Sequence, residues 1–282
     1  MTTYCRPGSV QEAVQALADA GGAGRVLVGG TDLLVGVRRR PLDPIVLVDL
    51  KVAADLPPAI ELTERAVRFG PTAVMTDLAA NAELRRWYPA LVAASRVVGS
   101  VAIRNRASLI GNIANASPAA DTAPALLVHQ ASVTIVGPGG ERELPLTDFF
   151  LGPGDTACGP DELVLRLTLP LPPEGYHSAF ERLTRRRGVD LATVSVAAGL
   201  SSDGIVTLGF GAVGPTPLVA RSSESIDPAD ASAIDRVVAE LIEITSPISD
   251  VRAGETYRRA MTAVLARRAI VAAGGTTNGG QP

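Results

Sequence analysis

The sequence predicts an α+β protein of two domains, a composite one over residues 1–174 and a second over residues 175–273. A length of 282 residues is about that of two typical domains. Strand and helix patterns alternate along the first part of the chain, whereas three strand patterns at hairpin spacing follow one another in the second. The proline- and glycine-rich run Leu171-Pro-Pro-Glu-Gly175 lies between the two patterns and marks the predicted boundary.

The first subdomain, residues 1–56, is predicted to be a βαβ unit. Ser9 and Glu12 have the spacing of a capping box, and the helix that they begin ends at Gly21-Gly22. The later elements are a strand at Val26-Leu27-Val28, a turn at Gly29-Gly30-Thr31-Asp32, a helix over Leu33 to Arg39 stopped by Pro41, and a strand over Ile45 to Leu50.

The second subdomain, residues 57–174, is predicted to be larger, with mixed α and β structure. Between Val101 and Asp121 it is rich in small and amide residues, where a packed core would need bulk. Its predicted elements are a strand over Ile60 to Pro71, helices over Leu78 to Leu84, Ala90 to Val98 and Asp121 to Val128, a strand over Ser132 to Val136, a short strand and turn over Leu144 to Phe150, and a strand over Glu162 to Leu169.

The C-terminal domain is predicted to pair a three-stranded antiparallel sheet with helices. The strands are predicted over Ser178 to Leu183, Thr193 to Leu200 and Ile205 to Ala212, and the helices over Ile234 to Leu241 and Glu255 to Ala273. The low-complexity tail, residues 274–282, is predicted to be disordered.

Composition excludes several classes of function. A net charge of −3 is not that of a nucleic-acid-binding protein, and no apolar stretch is long enough for a transmembrane helix. With two cysteines and two histidines, the chain offers neither an iron–sulfur ligand set nor a metal site, and no catalytic residue can be assigned. The start of the chain is unlike a signal peptide, so a soluble cytoplasmic protein is expected.

Two glycine-containing loops are the candidate binding elements. In the turn after Val28, Gly29 and Gly30 let backbone amides approach an anion, although such a turn is often only a turn. The second stretch offers hydroxyl, amide and backbone donors from Ser108 to Asn112, and Asp121 adds a carboxylate. At this point a dinucleotide site and two structural turns both remain open.

Six segments in order resemble motifs of the flavin-binding medium subunits of molybdenum hydroxylases, a family that includes carbon monoxide dehydrogenase and xanthine dehydrogenase. The resemblance runs from about residue 3 to residue 272. The segments are Val28-Gly29-Gly30-Thr31-Asp32-Leu33, Ile103 to Asn112, Ser117 to Asp121, Leu146 to Pro153, Glu162 to Pro170, and Ser249 to Ala253 with Tyr257-Arg258-Arg259.

The resemblance implies that residues 1–174 bind FAD, with its diphosphate held by the two glycine loops and its ring facing the C-terminal domain. It places Asp121 at the sugar or ribityl portion and Leu191 near the flavin. It also places Arg182 where a lysine is common, and Ile110 where the family has the first glycine of a pair. The implied cofactor residues are Val26, Leu27, Val28, Gly29, Gly30, Thr31, Asp32, Leu33, Val98, Ser108, Leu109, Gly111, Asn112, Asp121, Val164, Arg182 and Leu191.

The implied function is electron transfer within a heterotrimer, or a dimer of heterotrimers. A small partner subunit with two [2Fe–2S] clusters would deliver electrons from a large molybdenum–pterin subunit, and the FAD would pass them to a terminal acceptor. Two alternatives stay open at this stage: a stand-alone FAD oxidoreductase, and a scaffold subunit with a decayed flavin site, for which Ile110 is the main argument.

Overall fold

The N-terminal subdomain is a small parallel sheet with its first helix packed against it. The computed structural model describes residues 2–39 and 45–275, so Pro41, the predicted helix stop, lies outside the described residues. The elements are β1 (Thr3–Cys5), α1 (Val10–Asp19), β2 (Gly24–Leu27), α2 (Leu33–Arg39) and β3 (Val46–Asp49). The sheet order is β1-β3-β2 with both pairings parallel, so the predicted βαβ unit is present with β1 as an additional edge strand.

Helix α1 begins as the capping box predicts, with one difference. Ser9 Oγ accepts a hydrogen bond from Glu12 N at 3.1 Å, but the Glu12 carboxylate accepts from Gly8 N, at 2.7 Å, one residue earlier than in the standard motif. The apolar face of α1, including Leu17, then packs against Val48 of β3 in a small core.

The second subdomain is built on a five-stranded antiparallel sheet with the order β4-β5-β10-β6-β7. The predicted strand over residues 60–71 is a hairpin. The predicted helix near residue 78 is two helices, because Asn81 ends one and its Oδ1 accepts from Leu84 N to cap the next. The bounds are β4 (Ile60–Leu62), β5 (Ala66–Phe69), α3 (Met75–Ala80), α4 (Ala82–Trp87), α5 (Pro89–Val97), α6 (Val101–Arg104), α7 (Leu109–Ala114), α8 (Thr122–Val128), β6 (Ser132–Gly137), β7 (Gly140–Pro145), α9 (Leu146–Phe149), β8 (Phe150–Gly152), β9 (Asp155–Thr156) and β10 (Leu163–Pro170).

Strand β10 joins the two subdomains because a β-bulge between Val164 and Arg166 shifts its alternation. Leu163 and Leu165 pack into the small N-terminal core. Val164 and, after the bulge, Leu167 pack into the large core of the second subdomain. One strand therefore contributes side chains to both cores.

The C-terminal domain has a four-stranded antiparallel sheet, one strand more than predicted. The additional strand is β14, whose second half, Arg221 to Ser225, is polar because it lies at the sheet edge, so the sequence lacks the apolar alternation of a strand. Helix α11 continues to Gly275, past the predicted start of the tail, and residues 276–282 lie outside the described residues. The bounds are β11 (His177–Leu183), β12 (Val194–Leu200), β13 (Ile205–Gly211), β14 (Leu218–Ser225), α10 (Ala231–Leu241) and α11 (Glu255–Gly275).

Helix α8 lies between the two domains. All of its residues are buried, and its Pro124 carbonyl approaches Gly209 of β13 so closely that a Cβ there would overlap it. Next to this contact, Ala212 N donates to Pro118 O at 2.7 Å. In the part of the chain that the structure describes, no helix is both long and apolar enough to cross a membrane.

Candidate functional site

The first glycine turn connects β2 to α2, as predicted. Gly30 has φ of +67°, and a Cβ at this position would lie 2.8 Å from Leu27 Cδ1, so the turn requires glycine here. The amides of Gly30, Thr31 and Asp32 donate to no protein acceptor among the described residues. The turn therefore presents backbone donors that a bound anion can use.

Lys51, which no sequence motif singles out, holds this turn from the 3₁₀ turn Leu50–Val52 that follows β3. Its Nζ donates to Val28 O at 3.2 Å and to Asp49 Oδ1 at 2.6 Å, while Tyr4 OH donates to Asp49 Oδ2 at 2.5 Å. Burial raises the pKa of Asp49, but the hydrogen bonds from Lys51 and Tyr4 outweigh it and hold that pKa below its ordinary value. No motif in the sequence signals this network, because it depends on strand pairing between β1, β2 and β3.

The second loop is a short helical turn that caps itself. Ser108 is the N-cap of α7, and its Oγ accepts from Gly111 N at 3.2 Å. Asn112 Oδ1 accepts from Thr122 Oγ1 at 2.6 Å, which connects α7 to the start of α8. Leu109 is buried in the large core.

Ile110 occupies an ordinary helical position. It is buried in the large core and is not among the residues with positive φ. A β-branched side chain is therefore placed here without backbone strain. Isoleucine at the position of the family's first glycine therefore packs into the core and does not distort the loop.

The two loops meet directly. A Cβ on Gly29 would overlap the carbonyl oxygen of Arg106, two residues before Ser108. The Arg104 guanidinium then donates to Val98 O at 3.3 Å and to Gly99 O at 3.1 Å, which brings Val98 to the same region. Gly99 has φ of +52°, a left-handed conformation that glycine adopts readily. The sequence alone did not identify this turn.

Asp121 and Arg182 form the link to the C-terminal domain. Arg182 Nε lies 3.2 Å from Asp121 Oδ1, yet neither atom has a hydrogen-bond partner among the described residues. Burial raises the pKa of Asp121 to about 7, against the lowering effect of Arg182. The remaining nitrogens of Arg182 donate to Val97 O at 3.0 Å and to Asp190 O.

Leu191 follows Asp190 and is therefore held close to the same arginine. Its side chain is 58% exposed, and its amide donates to Asp190 Oδ1 at 3.0 Å. Arg182 thus brings three of the implied residues to one place: Val98 through its neighbour Val97, Asp121, and Leu191 through Asp190.

Val164 is placed differently. It is buried in the large core together with Ile110 and Ile113 of α7, which packs against β10. Val164 therefore packs beneath the second loop and supports it through apolar contacts. Among the described residues, no hydrogen bond joins the first turn to Asp121 directly. Arg106 contacts Gly29 of the turn, and Arg104 donates to Val98 O, next to the Val97 carbonyl that accepts from Arg182.

His129 and Cys158 take no part in this arrangement. His129 is buried between Tyr88 and Tyr176, Nε2 lies 3.0 Å from Ser178 Oγ, and burial lowers its pKa to about 3. Burial also raises the pKa of the Cys158 thiol to about 12. Neither group is poised for acid–base or nucleophilic chemistry at neutral pH. Within the described ranges, no cluster of three or more His, Cys, Asp or Glu side chains can hold a metal ion.

Comparison with known proteins matches both domains. The family model described as the FAD binding domain in molybdopterin dehydrogenase matches residues 1–172, and that of the CO dehydrogenase flavoprotein C-terminal domain matches residues 178–273. The chain is 32% identical to the carbon monoxide dehydrogenase medium chain of Afipia carboxidovorans, over 95% of this chain and 94% of that one. It is 29% identical to the xanthine dehydrogenase FAD-binding subunit of Escherichia coli O157:H7, over 97% of each. A chain of reconstituted CO dehydrogenase from Oligotropha carboxidovorans superposes with a TM-score of 0.89 at 30% identity, over 98% of both chains.

Proposed function

The chain belongs to the family of FAD-binding subunits of molybdopterin dehydrogenases, and from that premise we propose that it holds FAD at the join of its domains and passes electrons from a partner's iron–sulfur clusters to a terminal acceptor. The membership confirms the family, the cofactor and the oxidoreductase class that the spaced motifs predict. The residue assignments and the details of the complex are the parts that remain proposals.

The close contact between Gly29 and the Arg106 carbonyl is the main support for placing the FAD diphosphate at the two loops. It brings two loops that are distant in sequence to one spot, and each loop offers donors of the kind that a diphosphate needs. The first contributes the unbonded amides of Gly30, Thr31 and Asp32. The second contributes the Ser108 hydroxyl and the Asn112 side-chain amide, and Gly111 leaves room for close approach while its own amide caps onto Ser108. Val26, Leu27 and Leu109 support the backbone from beneath.

The Asp121–Arg182 pair supports placing the sugar or ribityl portion of FAD at the interface between the two domains. Two buried charged atoms without hydrogen-bond partners are costly. A ligand hydroxyl can satisfy both, because it can accept from Arg182 Nε and donate to Asp121 Oδ1. When bound, FAD supplies a redox centre that can take up and release one or two electrons. The chain contributes orientation: Arg182 fixes the backbone at Val97 and Asp190, while Val98, Val164 and Leu191 shape the apolar walls.

The structure argues against a decayed site. Ile110 is the one substitution that suggested decay, and it is accommodated in the core of α7 without positive φ. Gly29, Gly30 and the Ser108 cap are all intact. Neither His129 nor Cys158 is poised for acid–base or nucleophilic chemistry at neutral pH, so neither supports a stand-alone oxidoreductase.

The partner chains are proposed from the family, whose members include the medium chain of carbon monoxide dehydrogenase and the FAD-binding subunit of xanthine dehydrogenase. We assign two [2Fe–2S] clusters to a small subunit and a molybdenum–pterin centre to a large one, in a heterotrimer or a dimer of heterotrimers. The two cysteines of this sequence are consistent with clusters on another chain, because a [2Fe–2S] cluster needs four ligands, mostly cysteine. Cys5 and Cys158 are free thiols, which supports a reducing, cytoplasmic location.

The visible spectrum of the purified chain, and of the chain co-expressed with its partners, tests the proposal. Flavin bands that move to the supernatant on denaturation, with FAD identified there by mass, are expected in both samples or in the complex alone. A colourless complex in the presence of excess FAD would overturn the assignment. Cluster absorption that bleaches before the flavin bands during reduction by substrate would support the proposed order of electron flow.

A further inference from the structure

Asp250, Arg252 and Arg258, three of the four charged residues of the last sequence motif, form a cluster that the proposed cofactor site does not use. The Asp250 carboxylate accepts from Arg252 Nη2 and from Arg258 Nη2, both at 2.6 Å, and from the Arg252 amide at 2.8 Å. Burial raises the pKa of Asp250, but these bonds outweigh it and hold that pKa far below its ordinary value. The carboxylate is therefore ionised at any physiological pH and keeps both arginines in place.

Each arginine uses another nitrogen to bind the backbone just after Leu191. Arg252 Nη1 donates to Ala192 O at 3.2 Å, and Arg258 Nη1 donates to Thr193 O at 2.8 Å. Arg258 is 1% exposed and also donates to Ala212 O, so it is part of the domain core. Arg252 is partly exposed. Besides its bonds to Asp250 in the same turn, Arg252 donates to Ala192 O.

The backbone before Leu191 is held from the other side. Arg182 donates to Asp190 O, and Arg185 pairs with the Asp190 carboxylate at 3.1 Å. Leu191 is therefore a largely exposed apolar side chain on a backbone that is hydrogen-bonded on both flanks. Such a segment presents its side chain in one defined position, which a mobile surface loop does not.

We propose that Arg252, oriented by Asp250, is a positioning residue that fixes Leu191 beside the flavin through the Ala192 carbonyl. The proposal rests on the proposed function, because Leu191 can limit access to the flavin only if FAD occupies the domain join. Arg252 itself touches no reacting group. Its removal changes the behaviour of the flavin through the backbone of residues 190–192 and through no direct contact.

Hydrogen–deuterium exchange of the purified complex tests the structural half without reference to the cofactor. In Arg252→Gln, exchange across Leu191 to Thr193 is expected to rise about fivefold or more, while exchange in β13 stays as in the wild type. Arg267→Gln, which removes an exposed pair with Asp235, is the matched control and should leave both regions unchanged. Unchanged exchange at Leu191 in Arg252→Gln, or an equal rise throughout the domain, would overturn the positioning role.

A double-mutant cycle tests the functional half. The reduced FAD-loaded complex is mixed with oxygen, and the return of flavin absorbance is followed for Arg252→Gln, Leu191→Ala and the double variant. Each single variant is expected to speed reoxidation about threefold or more, and the double variant should match Leu191→Ala alone. Multiplicative effects, or no effect of Leu191→Ala, would contradict action through Leu191. A complex without FAD would instead count against the proposed function, and the exchange experiment would still decide the role of Arg252.

Discussion

Arg182 of the C-terminal domain faces Asp121 of the N-terminal domain at 3.2 Å, and neither of the two facing atoms makes a hydrogen bond among the described residues. The pair is an attraction between buried charges that lacks the directional bonds which normally offset desolvation. The carboxyl group therefore remains close to its protonation equilibrium at neutral pH, with its pKa raised to about 7. The interface between the domains therefore holds a carboxyl group that titrates near neutral pH.

The pH dependence of stability follows from this shift. Because the pKa of Asp121 is raised in the folded chain, its contribution is fully present below the unfolded pKa and is lost as pH rises through about 7. For chain without flavin, urea unfolding should show wild type losing roughly 3 kcal/mol relative to Asp121→Asn between pH 4 and pH 8. Parallel curves for the wild type and Asp121→Asn would contradict the shift.

Gly30→Val should give a folded chain that binds little or no FAD. The substitution forces a β-branched residue to φ of +67° and places its Cβ 2.8 Å from Leu27 Cδ1, so the turn must rearrange. The FAD-to-protein ratio of the purified complex is the measurement. Gly36→Val is the matched control, since its Cβ meets nothing within 4 Å, and it should retain the flavin. Full flavin content in Gly30→Val would move the diphosphate away from this turn.

Ile110→Gly restores the family's glycine and should lower the stability of the protein without improving FAD binding. It removes a buried side chain from the large core and adds a helix-breaking residue to α7, at a cost of about 3–5 kcal/mol in the free energy of unfolding. FAD affinity should not improve, because the backbone there already has negative φ. Equilibrium unfolding and a flavin titration measure the two quantities. Tighter FAD binding in Ile110→Gly would show that the isoleucine does restrict the loop.

Arg258→Met should destabilise the chain by about 3–5 kcal/mol, because it leaves the Asp250 carboxylate with one arginine fewer and the carbonyls of Thr193 and Ala212 without their donor. Thermal or urea unfolding gives the value. The neighbouring Arg259→Met removes one long contact to Thr245 O and should change stability by less than about 1 kcal/mol. Equal effects of the two substitutions would mean that the buried network contributes nothing beyond side-chain bulk.

Local signals in the sequence predicted most of the fold. The Ser9 capping box, the Gly30 turn and the strands of the C-terminal sheet all depend on residues close together along the chain. The hairpin at residues 60–69 and the polar edge strand β14 were missed because turn position and sheet edge are set by partners elsewhere.

The two loops of the candidate site could be predicted from the sequence, whereas the side chains that hold the backbone of these loops and of residues 190–192 in place could not. Gly29, Gly30 and Ser108 occur in recognisable motifs, whereas Lys51 lies outside them. Arg104 and Arg252 lie in motif segments, but all three basic residues act on carbonyl oxygens that any residue type can supply, so the sequence did not show their roles. Donors to backbone carbonyls leave no pattern at the accepting residue. For the same reason, the meeting of Asp121 and Arg182 follows from the packing of α8 on the C-terminal sheet and from no spacing in the sequence.

The bulge in β10 has a consequence for how the chain denatures and how it can be divided. Since Leu163 and Leu165 complete the core of the N-terminal subdomain from a strand more than a hundred positions downstream, residues 1–56 expressed alone would lack part of their interior. The two subdomains should melt in one cooperative transition, and fragments split near residue 56 should regain structure only when mixed. The Gly29-Gly30 turn and the Ser108 loop would then be brought together, or separated, in the same event.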